Sequence, residues 1–497
     1  MKRSIAAFLS ILLIFTIAGC KKNTASTDSD EYEVMSEYEI VSGGEASDGE
    51  NSKNTDTGSS NSSKNNTSDK KNNSKNENVS VIDTAKITTV DGLDFGGRTL
   101  KMAITNDKTP TESEKRMFAD FESTYNCKLK YDVINFADYL KTISNKIAAN
   151  EPYDIMYVHG SMFPSAAISR LVSPLDAAIY DKDKINKSNP QNGGIDTDKS
   201  SYFAWNGKTY AVAGYKDVNL YFMYYNKQKF KAGNLPDPLE LYNSGEWTWD
   251  KVLEIGKKVT DVNKRTFFGD GSFVEKAIVE SFGGHYIKRN SAKDVKENTS
   301  DSKVFNGLKY IQRIANGADQ IITLSAGNGS DPSEFISGRT YAFISEDIRY
   351  SASLSNAVID DNKLGGNLDN IGIVPLPLGD GNKEYPAGWI QGIAACRGAS
   401  DITPAVAFAK FRSTWKDSKA DKYAFPQYAE DLKIKLLPNI NYVDYGYSNN
   451  GNSNTSTVSS TVHVIEYAVA NGQNIKSTLD TYKNSIQNCI DVTLKKQ

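Results

Sequence analysis

Few of the residues that could do chemistry in this chain are arranged as a catalytic or metal-binding set. The three histidines, His159, His285 and His463, are far apart and lack the short spacing of zinc ligands. The 497-residue sequence contains no Gly-x-Ser-x-Gly nucleophile motif and no phosphate-binding loop. Acidic pairs such as Glu346 and Asp347 leave a glycosidase open, since that chemistry needs only two carboxylates at the right separation.

Aromatic side chains are a stronger signal, because the chain holds 27 tyrosines and 5 tryptophans. The apolar face of a pyranose stacks on an aromatic ring while amides and carboxylates bond its hydroxyl groups. Most of these rings must still fill the core, and Trp247 and Trp249, which open a predicted helix, are expected to be structural. Tyr224 and Tyr225 alternate along a predicted strand, so one is expected to pack inward and the other to face outward.

The amino terminus has the pattern of a lipoprotein export signal. Lys2 and Arg3 precede an apolar run, Ile5–Ile17, which is too short for a comfortable membrane span. Residues 17–20 resemble the bacterial lipobox, with Cys20 as the residue to be lipidated; a plain signal peptide or a membrane anchor is the alternative. We expect residues 1–20 to be a signal peptide and Cys20 to carry a palmitate-type anchor at the extracellular face of the cytoplasmic membrane.

Residues 21–80 are predicted to be a disordered tether rather than a domain. No apolar side chain occurs between Asn51 and Asn78, and the segment is rich in Asn, Ser and Lys. Such a composition cannot offset the entropy of ordering. Treated as a flexible coil, a segment of about sixty residues has an end-to-end distance of about 40 Å.

Residues 81–497 are long enough for two domains with a substantial core. A net charge of -3 and a pI near 5.9 give no reason to expect a nucleic-acid partner. Beyond Cys20 the chain has Cys127, Cys396 and Cys489, an odd number without metal-ligand spacing. Buried free thiols are therefore expected in place of a disulfide framework.

Strand and helix patterns alternate at the start of this body and predict a doubly wound α/β sheet. Ligands of such sheets bind beyond the carboxyl ends of the strands, which makes the loop His159–Phe163 a candidate site wall. Asn206-Gly207 predicts a hairpin, and Thr248 is the predicted N-cap of a helix. The predicted strands are Arg98–Ile104, Lys128–Ile134, Tyr153–Val158 and Asn219–Lys227, and the predicted helices include Glu112–Tyr125 and Tyr139–Ala149.

The order of several motifs resembles the family 1 extracellular solute-binding proteins of ABC importers, including maltodextrin binders. Each motif is loose, but their order and spacing together cover nearly the whole chain from Arg98 onward. The matching segments are Tyr153–Val158, Leu171–Asp176, Asn206–Val212, Met223–Lys227, Trp249–Asp250, Phe335–Phe343, Ile371–Pro377 and Gly388–Ala394.

The resemblance implies an α/β, two-lobed periplasmic-binding-protein-like fold with hinge strands between the lobes. It assigns residues 81–215 and 370–414 to the first lobe and residues 216–369 and 415–497 to the second. It also implies a lipid-anchored, monomeric, non-enzymatic subunit that captures a soluble sugar, such as an oligosaccharide, for ABC permease subunits and needs no cofactor. Some relatives carry a calcium loop after the helix near Trp249. The matching stretch Asp261–Thr266 lacks its acidic ladder, so no metal is expected there.

Ligand contacts carry over from the family's cleft to matching positions of this sequence. Trp389, flanked by Gly388 and Gly392, is expected to stack on the ligand, whereas a structural role for His159 is an equal alternative. Arg349 stands where maltodextrin binders commonly carry an aromatic residue, which implies a different sugar or a more polar ligand. The loop 441–447 is either a stacking wall or a tyrosine-rich surface. The expected ligand-binding residues are His159, Ser161, Asn219, Tyr221, Glu346, Asp347, Arg349, Trp389, Gln391, Tyr442 and Tyr445.

Two other classes of function stay open at this point. A secreted glycoside-active enzyme would hydrolyse its polysaccharide, whereas a binding protein returns every sugar unchanged. A cell-wall polysaccharide-binding module would hold insoluble polymer without closing around short oligomers.

Overall fold

The structure is a computed structural model, and it describes twelve stretches of the chain. The residues of the expected signal peptide, the expected lipidation site Cys20, the expected tether, the stretch Asp261–Thr266 and Arg349 lie outside the described residues. The described residues are 93–105, 110–180, 193–260, 267, 274–316, 319–322, 333–347, 354–359, 361–417, 425–442, 445–449 and 455–495.

The strands follow the chain in the order in which they are numbered here. They are β1 (Arg98–Thr105), β2 (Cys127–Ile134), β3 (Ile155–His159), β4 (Ala204–Trp205), β5 (Lys208–Thr209), β6 (Val218–Asn226), β7 (Ile287–Ser291), β8 (Asp294–Glu297), β9 (Ala342–Glu346), β10 (Ile371–Pro375), β11 (Ala387–Ala394) and β12 (Asn441–Tyr442).

The helices are numbered in the same way. They are α1 (Glu112–Tyr125), α2 (Tyr139–Ala148), α3 (Ser165–Ile168), α4 (Thr197–Ser200), α5 (Lys227–Ala232), α6 (Pro238–Ser244), α7 (Trp249–Val259), α8 (Val274–Ser281), α9 (Ser302–Ala315), α10 (Ser333–Ile336), α11 (Ser355–Ile359), α12 (Thr403–Thr414), α13 (Gln427–Leu436), α14 (Val458–Ala470) and α15 (Ile475–Leu494).

Local chemistry sets the ends of the helices that flank the sheet. Thr111 and Glu114 form a reciprocal capping box at the start of α1, and Asn126 ends that helix in the left-handed conformation. The Thr248 side chain accepts a hydrogen bond from the Lys251 amide, as expected of the N-cap of α7. These signals lie in the sequence, and the helices begin where the sequence predicts.

Eight of the described strands form one mixed sheet. Its order is β10-β6-β11-β3-β1-β2, with β9 also paired to β6 and β12 to β11. The first three strands are parallel, in the order β2-β1-β3, which confirms the doubly wound opening. Strand β11 then returns antiparallel to β3 and pairs on its other side with β6. The hairpins β4–β5 and β7–β8 stand apart from this sheet.

Strand β6 links two halves of the molecule. Its residues 218–220 pair with β11, and its residues 221–225 pair with β9, while residues 222–226 also pair with β10. All nine residues of β6 are buried. The expectation that either Tyr224 or Tyr225 faces outward is therefore wrong. Tyr225 packs into one hydrophobic cluster and Tyr224 into another, so the strand has a core on each face.

Buried apolar side chains form three clusters. One is confined to residues 93–179, 195, 212 and 393–415, around Phe121 and Phe408. A second draws mainly on residues after Asn219 and includes Trp247 and Trp249. Both tryptophans are buried with their indole N–H groups bonded, to the Pro375 carbonyl oxygen at 2.9 Å and to Ser281 Oγ at 2.8 Å, which confirms a structural role. The third cluster includes Tyr224 and draws on residues from both ends of the described chain.

The three cysteines within the described residues are free and buried, as expected. In the described ranges, no helix combines the length and the apolar character that a membrane crossing requires.

Candidate functional site

The strand register brings six of the expected ligand-binding residues into facing pairs. Gln391 of β11 faces His159 of β3, and Trp389 faces Asn219 of β6. Two residues farther along β6, Tyr221 faces Glu346 of β9. Positions far apart in sequence thus meet on neighbouring strands where β6 and β11 cross between the two halves.

The rings of His159 and Trp389 form the aromatic centre of this region. Their centroids are 4.9 Å apart with the planes tilted by 37°, and both side chains are partly exposed. Phe136 meets the imidazole edge-on at 5.4 Å. Such tilted aromatic contacts leave ring surface available to a further apolar face.

Ser161 fixes the tautomer of His159. Its backbone N–H donates to His159 Nδ1 at 3.1 Å, and its hydroxyl lies 2.7 Å from the same nitrogen. Nδ1 is therefore an acceptor, and the proton of the neutral ring sits on Nε2. Burial, with a smaller contribution from the charge of Lys276, lowers the pKa of His159 to about 3. His159 is thus a neutral donor through Nε2.

Close approach of two backbones positions Asn219 beside Trp389. A Cβ atom at Gly388 would collide with the Asn219 carbonyl oxygen, so only glycine fits there. Asn219 is 3% exposed, and its Nδ2 has no hydrogen-bond partner among the described residues. A buried amide donor left without a partner is costly, and a ligand acceptor would remove that cost.

Asp347 has a different setting from the residues around Trp389. Its Oδ1 accepts the Leu220 backbone N–H at 2.9 Å, and its Oδ2 forms an ion pair with the ammonium of Lys433. The same ammonium lies 4.9 Å from the ring centroid of Tyr215. Both carboxylate oxygens of Asp347 are thus engaged within the protein, at the point where β6 begins.

Glu346 and Tyr221 are also enclosed. Glu346 is 4% exposed and accepts a hydrogen bond from Ser345 Oγ at 3.0 Å, while Tyr221 is 2% exposed. Tyr442 lies on β12, which pairs with Gly388, and Tyr445 is buried. The tyrosine-rich surface alternative for the loop is therefore wrong at Tyr445 and Tyr447, which are both inside the protein.

Helix α8 contributes charged residues that the sequence patterns did not single out. Lys276 Nζ lies 5.3 Å from the ring centroid of Tyr445 and 3.9 Å from Glu280 Oε1. Glu280 is 1% exposed, and neither of its carboxylate oxygens has a hydrogen-bond partner among the described residues. The sequence of α8 looks like an ordinary amphipathic helix, so its pattern carries no signal that the charged face is buried.

Glu280 belongs to a buried group of carboxylates. Burial raises the pKa of Glu280 to about 7, and Lys276 and the Gly388 backbone amide offset only part of this rise. Burial raises the pKa of Glu466 well above its usual range, helped by the charges of Glu275 and Glu280. Glu466 accepts a hydrogen bond from the Tyr286 hydroxyl at 3.2 Å.

A groove of about 480 Å³ lies between the two small hairpins. The Arg289 guanidinium of β7 is 5.9 Å from the ring centroid of Trp205 on β4. Asn206, Asn290 and Lys293 also line this groove. In the described part of the chain, no three His, Cys, Asp or Glu side chains are grouped as metal ligands.

Comparison with known families and structures gives a consistent result. The family model for bacterial extracellular solute-binding proteins matches residues 116–426. A comparison with curated proteins gave no match.

Several solved structures share the fold at low identity. An ABC substrate-binding protein from Listeria monocytogenes in complex with cycloalternan has a TM-score of 0.57 and 14% identity, and the match covers 80% of this chain and 99% of that one. The galacto-N-biose/lacto-N-biose I-binding protein from Bifidobacterium longum in complex with lacto-N-biose has a TM-score of 0.58 and 14% identity, over 81% and 98% of the two chains.

A third similar structure was solved with a ligand of another kind. UgpB from Mycobacterium tuberculosis, in complex with glycerophosphocholine, has a TM-score of 0.59 and 14% identity over 79% of this chain and 98% of its own. These likenesses confirm the two-lobed, periplasmic-binding-protein-like α/β fold.

Proposed function

The chain belongs to the bacterial extracellular solute-binding protein family, and from that premise we propose that it captures a soluble sugar for an ABC importer. An open form admits the sugar, and contacts from both lobes then favour the closed form. A solute-binding protein needs no covalent step, so no catalytic residue is assigned.

The observation that carries the proposal is the His159–Trp389 ring pair beside the unpartnered amide of Asn219. The rings offer an apolar face, and Asn219 Nδ2 and His159 Nε2 offer donors within the same few residues. A sugar ring presents one apolar face and a rim of hydroxyl acceptors, which matches this combination. We assign ligand contact to His159, Ser161, Asn219, Trp389 and Gln391.

Tyr221, Glu346 and Asp347 are placed at the hinge in this proposal, since their polar groups lie on the crossing strands. The proposed lobes are residues 81–215 with 370–414, and residues 216–369 with 415–497. The cluster around Phe121 supports this division, because all of its described members but Trp415 fall in the first lobe. Val374, Leu376 and Ala387 pack with the cluster of the second lobe, which fits their place on returning strands.

The lipid anchor belongs to the same proposal. Cys20, once processed, would hold the protein at the extracellular face of the membrane, and residues 21–80 would give the binding body reach toward the permease subunits. The support is the charged, apolar and small-residue pattern of residues 1–20. A monomer is proposed as the binding unit.

A thermal-shift screen against neutral monosaccharides and oligosaccharides tests the proposed function. A ligand that binds only the native state must raise the melting temperature. We expect at least one sugar to do so and to be recovered unchanged by mass spectrometry after long incubation. Hydrolysis products would instead support the glycoside-active enzyme, and no shift with any sugar would contradict the proposal.

A further inference from the structure

We propose that Lys276 and Glu280 of α8 hold one hydroxyl group of a neutral ligand between them, and that this pair sets the preference for uncharged sugars. The inference rests on the proposed function and names the ligand chemistry of the same site. It assigns a specificity role to two residues outside the set expected from the sequence.

The first step is the geometry of the pair. Lys276 Nζ and Glu280 Oε1 are 3.9 Å apart, which is close enough for attraction and too far for a hydrogen bond. Among the described residues, Lys276 has no other carboxylate within ion-pair distance. A hydroxyl oxygen between the two groups can accept from the ammonium while its O–H donates to the carboxylate.

The second step is burial. Glu280 is 1% exposed with both oxygens unpartnered among the described residues, whereas the Lys276 side chain is 23% exposed. A buried carboxyl group without hydrogen bonds is unfavourable in either protonation state, so the native protein gains from any group that completes the pair. Lys276 is the accessible member through which a ligand would reach Glu280.

The third step is location. Helix α8 packs against β11, and the Gly388 amide faces Glu280 while Gly388 itself abuts the Asn219 carbonyl. The charge of Lys276 also acts on His159, which contacts Trp389. Two separate unpartnered groups, a donor at Asn219 and an acceptor at Glu280, therefore adjoin the same segment of β11. A ligand with several hydroxyl groups can accept a hydrogen bond from Asn219 and donate one to Glu280.

The fourth step is charge. Glu275, Glu280 and Glu466 are all buried near one ammonium group. An anionic ligand would meet these three carboxylates beside Lys276, and a cationic ligand would meet Lys276 first. Neutral hydroxyl groups avoid both penalties, which disfavours phosphodiesters and uronic acids as ligands.

Calorimetry on the purified full chain tests the inference. The probes are maltotetraose, lacto-N-biose, cycloalternan and other neutral sugars, with glycerophosphocholine and glucuronic acid as charged comparators. We expect binding to neutral sugars alone, and we expect Lys276→Met and Glu280→Gln each to weaken the tightest one at least 10-fold. Glu254→Gln and Lys258→Met are matched controls, because these residues form an exposed pair four positions apart on α7, and they should change Kd less than 2-fold.

Deoxy derivatives of that sugar separate a ligand contact from a structural effect. One hydroxyl position should cost the wild type at least 10-fold and the Lys276→Met variant less than 3-fold, since the two losses remove the same contact. Variants that bind every derivative as the wild type does would overturn this inference alone. A wild type that binds no neutral sugar, or prefers a charged comparator, would overturn the sugar proposal together with it.

Discussion

The ion pair Asp347–Lys433, next to β6, and the pair Glu280–Lys276, next to β11, differ in how completely the protein satisfies them. Asp347 accepts both the Leu220 amide and the Lys433 ammonium, and Tyr215 covers that ammonium. Glu280 has the Lys276 ammonium 3.9 Å away and the Gly388 amide nearby, but neither of its carboxylate oxygens has a hydrogen-bond partner of normal geometry within the described residues. A pair completed by the protein holds strands together, whereas an incomplete pair next to exposed rings is suited to a ligand. We propose that this difference separates residues of the hinge from residues that bind the ligand.

Breaking the completed pair should have the largest effect on stability. Asp347→Ala leaves the Lys433 ammonium buried without its counter-charge, which should lower the free energy of unfolding by about 3–5 kcal/mol. Urea denaturation measures this loss. The double variant Asp347→Leu/Lys433→Met removes both charges and should recover much of it; equal loss in single and double variants would contradict the pairing.

The Glu280–Lys276 pair should make the free energy of unfolding depend on pH. Glu280 keeps a proton in the native state up to pH about 7, whereas the unfolded chain releases it near 4.5. Stability is thus fully present below pH 4.5 and falls by about 3 kcal/mol as pH rises through 7. Glu280→Gln should be close to wild type at pH 5 and more stable at pH 8.

Denaturation at both pH values checks this prediction, and an equal difference at pH 5 and pH 8 would speak against it. His159 acts with the opposite sign, because its pKa is lowered to about 3. Its contribution is lost as pH falls below 6.5, where the unfolded ring becomes protonated. His159 is present in both proteins, so its contribution cancels when Glu280→Gln is compared with the wild type.

Removing the aromatic centre should affect binding more than folding. Trp389→Ala should weaken sugar binding by about 2 kcal/mol, roughly 30-fold, since a large aromatic anchor is lost. The melting temperature should change little because the side chain is only partly buried. Calorimetry gives the affinity, and an unchanged Kd would remove Trp389 from the site.

The smallest effect is expected at an exposed ion pair. Glu254 and Lys258 lie 2.9 Å apart and are about half exposed. Lys258→Met should change the free energy of unfolding by less than about 0.5 kcal/mol. A larger loss in urea denaturation would contradict the expectation that an exposed ion pair contributes less to stability than a buried one.

Much of the fold was predictable because its signals are local. Helix α1 begins and ends at the predicted residues, because the residues that form its capping box and its left-handed C-cap, Asn126, are adjacent to it in the sequence. The prediction that one of Tyr224 and Tyr225 faces outward was wrong because a strand with a core on both faces has no alternation to detect. The facing positions of Asn219 and Trp389 depend on strand pairing across about 170 residues, and family resemblance rather than periodicity pointed to them.

The charged face of α8 was beyond prediction for a related reason. Glu275, Lys276 and Glu280 have the spacing of a solvated helix surface, and only packing against β11 and α14 buries them. Asp347 was expected at the ligand, yet its carboxylate is completed by Lys433 from a helix 86 residues away. Local sequence does not report such partners.

We propose that two lobes close on a sugar where β6 and β11 pair. Spin labels at Lys141→Cys and Lys309→Cys, exposed positions in the proposed first and second lobes, would report the distance between them, while Cys127, Cys396 and Cys489 are buried. With a saturating sugar, closure of the lobes should shift and narrow the distribution of distances between the two labels. The same distribution with and without bound sugar would contradict it.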